Sequence, residues 1–527
     1  MAIQFSKCSR KRFGRCEHDD SRHARCKTLD RYLTMKKIAK LLALVVTLLL
    51  FVIVYRTSAY RPKIIKTQKS APFSIDSQAA ANRLAQALRI RTVTRTSSIA
   101  YEPEAFIAFH ALLKKFYPQT HKTLELHKIN KFGLLYKWVG SKTSKKPILL
   151  MAHQDVVPVP EEELAGWTHP PFAGKIEDGY IWGRGTLDVK SGVLGILEAI
   201  ELLIQDGFAP TRDIYLAFGH DEEIGGIEGA KAIAEHLRQK DIQFEFVLDE
   251  GGSITKGIVP GVADPVAMVG IAEKGFLSLE LSVETDGGHS SMPSRELSIE
   301  ILSRAITALY DNPSPENLDN ALTFLNYVAP KMSLIKRAIF ANTWLFGPFI
   351  KSRLEASTAM NATIRTSMAP TMFHAGIKDN VLPTSGSAIV NFRIAPGETI
   401  ETVKHYVEST INDSRIKIRT YGDEGNVFAS NPSPRSSVNS RSFKLIRDSI
   451  LTVANDPALT VAPYIVLGAT DSRYFTDLSP NVYRFLFNYL EKDDLKLIHG
   501  IDERISIENY RETIQFYFQL IVGSSAI

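Results

Sequence analysis

The sequence predicts an α/β protein: a mostly parallel sheet sandwiched by helices, with an inserted ferredoxin-like α+β unit that reads as a lid and dimerisation domain. Three observations carry this prediction. Apolar strand-like runs alternate with helix-like runs between residues 147 and 248. At Phe276 the texture switches to alternating apolar and polar residues, and after residue 440 a helix, a strand and a helix return. The chain has 527 residues, more than one ordinary domain needs. Hydrophobic residues make up 44% and charged residues 23%, near the globular average, which excludes a disordered, collagen-like or multi-span membrane chain.

Residues 1–35 read as a solvated basic tail. Residues 1–40 hold 12 Lys/Arg against 4 Asp/Glu and so carry +8, against a net charge of +6 for the whole chain, which leaves −2 for the remaining 487 residues. The globular part is thus near neutral, and its charge gives no reason to expect nucleic-acid binding. Cys8, Cys16 and Cys26 all lie in the head, so the globular part has neither a disulfide frame nor a thiol nucleophile. His18 and His23 stand nearby, at spacings that fit no zinc module.

Residues 36–58 read as a membrane anchor or a signal segment. The uncharged run from Leu41 to Tyr55 is short for a full span of ~20 residues. Two readings stay open. In one the basic flank keeps the head cytoplasmic and the segment anchors the rest outside. In the other the chain starts at Met35, and Thr57-Ser58-Ala59 forms a small-residue cleavage site. Both send the globular part across a membrane, to be anchored there or exported to a periplasmic, vacuolar or extracellular space.

Residues 60–74 read as a linker, and 75–93 and 102–116 have helical apolar spacing. Strands are expected at 147–155, 213–219 and 244–248, with helices at 189–205 and 228–238; this alternation implies parallel strands with crossover helices. In such sheets ligands sit at the carboxyl ends of strands. Residues 276–283 alternate as a strand and 298–310 as a helix; 312–360 read as an irregular insertion. Strands near 361–367 and 385–394, a helix near 399–410 and a strand near 416–421 complete a split βαβ unit. A polar linker at 422–438 leads back to a helix at 443–453, a strand at 464–467 and a helix at 508–522.

The chemistry-bearing residues collect at predicted strand ends. MAHQDVVPV carries His153 and Asp155, which share one side of a strand. GRGTLDVKSG places Asp188 at the mouth of a helix, GHDEEIGG carries His220, Asp221, Glu222 and Glu223, and FVLDEGG carries Asp249 and Glu250. His499 in LIHGIDE is a further candidate. Imidazole with carboxylate suits Zn²⁺, and also Co²⁺ or Mn²⁺. Two ions ~3.5–4 Å apart need a bridging carboxylate and about two more ligands each. One carboxylate must stay free to take a proton, and adjacent Glu222 and Glu223 allow that division. Any one of these motifs alone is as readily a hydrogen-bonded or solvated structural group; acidic and imidazole residues ending successive strands at one sheet edge are not.

The paired motifs HQDVVPV and GRGTLDVKSG, followed by HDEE, resemble the co-catalytic zinc peptidase family of aminoacylase, carnosinase, glutamate carboxypeptidase and acetylornithine deacetylase. Within it the chain is most similar to the carboxypeptidase S branch, which includes N-fatty-acyl amino acid hydrolases. The resemblance covers residues 75–527 and implies two zinc ions per subunit. It implies that His153 and Asp249 bind one ion, that Glu223 and His499 bind the other, and that Asp188 bridges them. Asp155 would orient His153, and Glu222 would be general base and then acid. In the lid, His289 of GGHSSMPS would polarise the scissile carbonyl, and Asn380 of DNVLP and Arg393 of VNFRIAPG would hold the substrate carboxylate. Gly468 of LGATDSR would line the substrate site.

The implied plan is a catalytic domain in two parts, 60–275 and 431–527, around a lid and dimerisation domain over 276–430. The implied function is a metal-dependent hydrolase that cleaves an amide bond beside a free carboxylate, with a small peptide as substrate, or an N-acyl amino acid in the alternative reading. A homodimer and membrane attachment through the N-terminal segment are expected. A catalytically dead binding protein on the same fold is disfavoured by the complete ligand set, and a serine hydrolase by the lack of a G-x-S-x-G elbow. The insertion departs from the family pattern. IKRAIFANTWLFGPFIKSRL is unusually apolar for a loop and reads as packing for the lid, as an acyl-pocket wall or as a membrane-touching surface.

Overall fold

A computed structural model describes residues 20–61, 71–94, 102–142, 144–422 and 429–527. The start of the basic head with Cys8 and Cys16, most of the 60–74 linker and the centre of the 422–438 linker lie outside the described residues.

Four parallel strands form the heart of a ten-stranded sheet. Ile214–Gly219, Ile148–His153, Phe246–Asp249 and Val482–Arg484 lie side by side in that order. They read as continuous apolar runs because both faces are covered. Ile148, Leu150 and Ala152 pack with helices Ser77–Leu88, Lys190–Gln205 and Ile507–Ser524, whereas the alternate residues Leu149 and Met151 pack with helix Ala232–Gln239. Each fully buried Leu, Ile or Met among them stabilises the fold by about 1.5–3 kcal/mol. Antiparallel strands Gly133–Trp138 and Glu125–Ile129 extend one side, and Val266–Glu273 and Ile254–Lys256 extend the other. Thr460–Val466 pairs in parallel with Val266–Glu273 and starts four residues before the expected 464. The parallel strands deliver His153, the segment after Gly219 and Asp249 to one edge of the sheet.

The second sheet is antiparallel and four-stranded: Ser367–Ala375, Ser385–Ile394, Gly275–Glu284 and Lys417–Thr420, in that order. In chain terms the spatial order is second, third, first, fourth, which is the ferredoxin-like arrangement. Helices Ser298–Asp311 and Ile400–Ile411 cover one face, with Leu277, Leu279, Leu281, Val390 and Phe392 against Ile301, Leu302, Val403 and Val407.

Residues 312–360 are not irregular. They form helices Leu318–Val328, Leu334–Ala341 and Thr343–Glu355, and a further helix, Thr358–Ile364, takes the place of the strand expected near 361–367. Their apolar side is not packing for the lid. Ala321, Leu325, Val328, Ile350 and Leu354 pack on Val259, Val262, Val266 and Ala462, at the margin of the main sheet. The sequence hides this because the helices are short and Gly347-Pro348 interrupts the helical pattern inside Thr343–Glu355.

The N-terminal segment is one helix, Asp20–Ala59, longer than the 36–58 segment expected. Its stretch Tyr32–Ala59 has 28 residues and is long and apolar enough to cross a membrane. At ~1.5 Å per residue it measures about 42 Å, against ~30 Å of hydrocarbon. The uncharged run alone is shorter than that, but the stems of Lys36, Lys37 and Lys40 can extend it while their ammonium groups reach water.

Candidate active site

His153 closes the first parallel strand with its imidazole buried. Nδ1 is 2.9 Å from the backbone carbonyl of Asp155 and 3.3 Å from Asp155 Oδ1, so this edge of the ring is fixed. Nε2 then faces Asp188 Oδ1 at 2.9 Å and Glu250 Oε1 at 3.5 Å. The other oxygen of Asp188, Oδ2, is 2.9 Å from His499 Nε2, which also lies 3.3 Å from Glu223 Oε2. One carboxylate therefore stands between two imidazoles, and each imidazole has a further carboxylate beside it. Ligand-type atoms of His153, Glu222 and Glu250 fall within 4.8 Å of one another, as do those of His153, Asp188 and Glu223.

Asp155 also organises the neighbouring loop. Its fully buried carboxylate accepts the Thr94 hydroxyl at 2.7 Å and the backbone N–H groups of Glu222 and Glu223, each at 3.2 Å. The chain then reverses through Gly225 and Gly226, at φ +107° and +66°, a conformation that side chains with a Cβ rarely adopt. Asp221 anchors this turn by accepting the N–H groups of Glu228 and Gly229, and His220 packs between the rings of Phe106 and Phe132. Of the HDEE motif only the two glutamates face the site.

Asp249 and Glu250 are placed differently from expectation. Asp249 is turned into the protein: Oδ1 accepts the Glu250 N–H at 3.0 Å and Oδ2 accepts the Ser472 N–H at 2.8 Å. It is Glu250 whose carboxylate reaches His153. Asp249 ends the strand, so alternation along the strand does not decide which of the two neighbours enters the site.

Two further groups escaped sequence reasoning. Glu503 is completely buried and accepts the N–H groups of Gly185 and Leu187 at 3.0 and 2.8 Å while pairing with Arg184 at 2.6 Å. Arg184 in turn donates to the His499 carbonyl at 3.1 Å. This pair fixes the Asp188 loop to the His499 loop, and removing one partner of such a buried pair costs about 3–5 kcal/mol. Asp471 is also buried, and a Cβ at Gly219 or Gly226 would collide with its carboxylate. The only available signal was the position of Glu503 four residues after His499.

The electrostatics favour cations. Burial opposes the charge on His153, but its hydrogen bonds with Asp155, Asp188 and Glu250 hold it well above the usual imidazole range. Hydrogen bonds with Asp188 and Glu223 raise His499 to about 10. Burial, together with the charge of Asp188, pushes Glu250 up to about 7. Burial likewise carries Glu222 well above the usual range, with Asp471, Glu250 and Glu223 adding to it against the pull of His153. Glu223 Oε1 is buried without a hydrogen-bond partner among the described residues. Two imidazoles and a dense set of carboxylates with an unmatched buried oxygen fit divalent metal ions.

The residues expected to bind substrate lie apart from this cluster, three of them on the second sheet and its edge. His289 is exposed in a two-residue strand, Gly288–His289, paired with Val381–Leu382, and its Nδ1 accepts the Ser291 N–H at 3.1 Å. Asn380 precedes that partner strand; its backbone carbonyl accepts the Ser290 N–H, and its side-chain oxygen has no hydrogen-bond partner among the described residues. Arg393 lies opposite Phe276 in the ladder, with its guanidinium 4.8 Å from the ring centroid and no ion-pair partner among the described residues. Gly468 follows strand Thr460–Val466 in open space. No hydrogen bond or ion pair among the described residues joins these four to the His153 cluster.

The model of peptidase family M20/M25/M40 matches residues 149–522, a span that runs from the His153 strand past His499 and Glu503 and takes in the second sheet. The chain belongs to peptidase family M20/M25/M40. A probable carboxypeptidase S-like protein of Dictyostelium discoideum is 42% identical over 484 residues, 90% of this chain and 91% of the relative. An N-fatty-acyl-amino acid synthase/hydrolase of Danio rerio is 40% identical over 423 residues, 79% of this chain and 80% of the relative. Among solved structures, an M20 family metallo-carboxypeptidase from Sulfolobus solfataricus superposes with a TM-score of 0.60 over 86% of this chain and all of that one, at 17% identity, which establishes a shared fold. This M20 chain is a metal-dependent hydrolase of the metallopeptidase and amidohydrolase type.

Proposed function

We propose that the chain holds two zinc ions and hydrolyses the amide bond of an acylated amino acid, peptide or N-fatty-acyl, whose carboxylate is free. The observation that carries this reading is the carboxylate of Asp188, set between His153 and His499 at 2.9 Å from each. His153 and Glu250 would hold one ion, Glu223 and His499 the other, and Asp188 both. Zinc, when bound, polarises a carbonyl and lowers the pKa of water. Glu222 lies within reach of His153 and Glu250, and no hydrogen bond among the described residues occupies its carboxylate, so it takes the proton of the attacking water and returns it to the leaving amine. Asp155 keeps the His153 ring in place through Nδ1. Arg393, free of ion pairs among the described residues, would offer a planar fork to the substrate carboxylate together with Asn380, and His289 would polarise the acyl carbonyl.

The names of both kinds of relative support this reaction class, since a carboxypeptidase and an N-acyl amino acid hydrolase both cut next to a free carboxylate. Residues 276–430 would form the lid, and the exposed edge strand Ser367–Ala375, with Met372 and Phe373 outward, would pair two subunits. Tyr32–Ala59 would span the membrane as a retained anchor with the catalytic part on the non-cytoplasmic side. Retention is supported by the side chains of Arg56, Thr57 and Tyr60, which are tied to the insertion helices. The test is turnover of the purified full chain on dipeptides and N-acyl amino acids, with and without chelator. Chelator-sensitive turnover that disappears when the substrate carboxylate is methylated supports the reading; chelator-insensitive turnover rejects it.

A further inference from the structure

The helical insertion meets the N-terminal helix where that helix ends. Arg56 Nε donates to the Ala341 carbonyl at 3.0 Å, Asn342 Nδ2 donates to Thr57 Oγ1 at 3.4 Å, and the Tyr60 hydroxyl donates to Asn326 Oδ1 at 3.0 Å. Half-buried Leu49, Val52 and Ile53 continue the same face back toward the apolar run, at helical spacing with Arg56 and Thr57. Helix Leu334–Ala341 therefore lies beside the last turns of the segment proposed above to span the membrane, and the role of its outward side rests on that membrane placement.

The outward side of the insertion is unusually apolar. Leu334 is 64% exposed, Ile335 75%, Trp344 52% and Phe349 46%. Around them stand Lys336, Arg337 and Arg353, while Lys331 pairs with Asp264 and Lys351 with Glu316, and residues 331–353 contain no acidic residue. Scattered exposed hydrophobic residues need no explanation, but apolar and aromatic side chains on adjoining helices, with basic residues between them, have the composition of an interfacial membrane element. Basic side chains attract lipid phosphates, and an exposed tryptophan suits the headgroup level.

We propose that helices Leu334–Ala341 and Thr343–Glu355 seat in the lipid headgroup layer beside the membrane-spanning helix. The occupant of this surface is the bilayer itself, because the helix that anchors the chain there is bonded to Ala341 and Asn342, at the junction of these two helices. With the span and the interfacial pair joined by Arg56 and Thr57, the catalytic part is held at a fixed orientation on the membrane rather than swinging on a tether.

The test uses the full chain reconstituted in phosphatidylcholine/phosphatidylserine vesicles whose acyl chains carry bromine, a contact quencher of tryptophan. Trp138 and Trp167 are buried and Trp182 is half-buried, so Trp344 is the reporter. The expected result is a loss of emission in the wild type that is absent in Trp344→Phe, a change small enough to keep the fold. Equal emission in brominated and ordinary vesicles overturns the proposal. In that case quenching of Trp344 by aqueous iodide identifies an open surface, and protection from iodide identifies a covering protein or second copy. Alkaline carbonate extraction of the same vesicles tests the span separately. A chain that resists extraction yet shows no bromine quenching overturns the docking and keeps the span. A chain that is extracted yet was quenched keeps the docking and overturns the span.

Discussion

His499 Nε2 lies 2.9 Å from Asp188 Oδ2 and closes the site between two segments far apart in the chain. The contact depends on Glu503, which grips the backbone before Asp188 while its partner Arg184 reaches the carbonyl of His499. The two halves of the proposed metal site are thus joined by a buried ion pair.

Replacing Glu250 and Asp249 separates ligand from scaffold. Glu250→Gln is expected to lose one of two bound ions, because its carboxylate is the one beside His153. Asp249→Asn keeps an oxygen for the Ser472 N–H, so it is expected to retain both ions and to lose about 1–3 kcal/mol of stability. Elemental analysis with denaturant melts of both variants checks this, and the reverse pattern assigns the ligand to Asp249.

Arg393 is expected to act on binding. Arg393→Ala would remove a charge-assisted contact worth ~1.5–3 kcal/mol, which raises KM by about 10- to 150-fold. Arg393→Lys recovers little of it, because an ammonium cannot offer the bidentate fork. Steady-state kinetics on a carboxylate substrate and on its methyl ester measure this: the variants differ from wild type on the first and not on the second.

Lys274 joins the two sheets, and its ammonium donates to the carbonyls of Ala362 and Arg365 at 2.8 and 3.0 Å. Burial depresses it to about 7, against the pull of Glu398. Between about pH 7 and its unfolded pKa of ~10.4 the folded state binds fewer protons than the unfolded one, so the contribution of this group to stability rises with pH across that window. Urea melts at pH 7 and 9 are expected to show a smaller rise for Lys274→Met than for wild type; an equal rise removes Lys274 as its source.

The parallel strands at 148–153, 214–219 and 246–249 were legible because each is apolar on both faces, and their parallel pairing followed from the helices between them, whereas the antiparallel edge strand Glu125–Ile129 is half-exposed and gave no comparable signal. The site residues were legible by motif for His153, Asp188, Glu222, Glu223 and His499, all of which the fold brings together. The sequence pairs Asp249 with His153, whereas the fold sets Glu250 beside that imidazole, because a strand end does not say which way the next side chain turns. It missed Glu503 because an isolated acid carries no sign of the Arg184 it will bury. It read 312–360 as irregular because short helices, one of them interrupted by Gly347-Pro348, owe their stability to the surface around Val259 and Ala462 rather than to their own periodicity.

Glu222 is proposed to move the proton while Glu223 holds metal, although the same Asp155 carboxylate fixes the backbone of both. The direct measurement is metal content beside turnover for Glu222→Gln and Glu223→Gln. Glu222→Gln is expected to keep both ions and to lose about 10²–10⁴-fold in kcat, the range of a general base, whereas Glu223→Gln binds one ion weakly and regains part of its activity in excess metal. Full activity in Glu222→Gln with both ions bound, or loss of metal there while Glu223→Gln retains both, would contradict this division of roles.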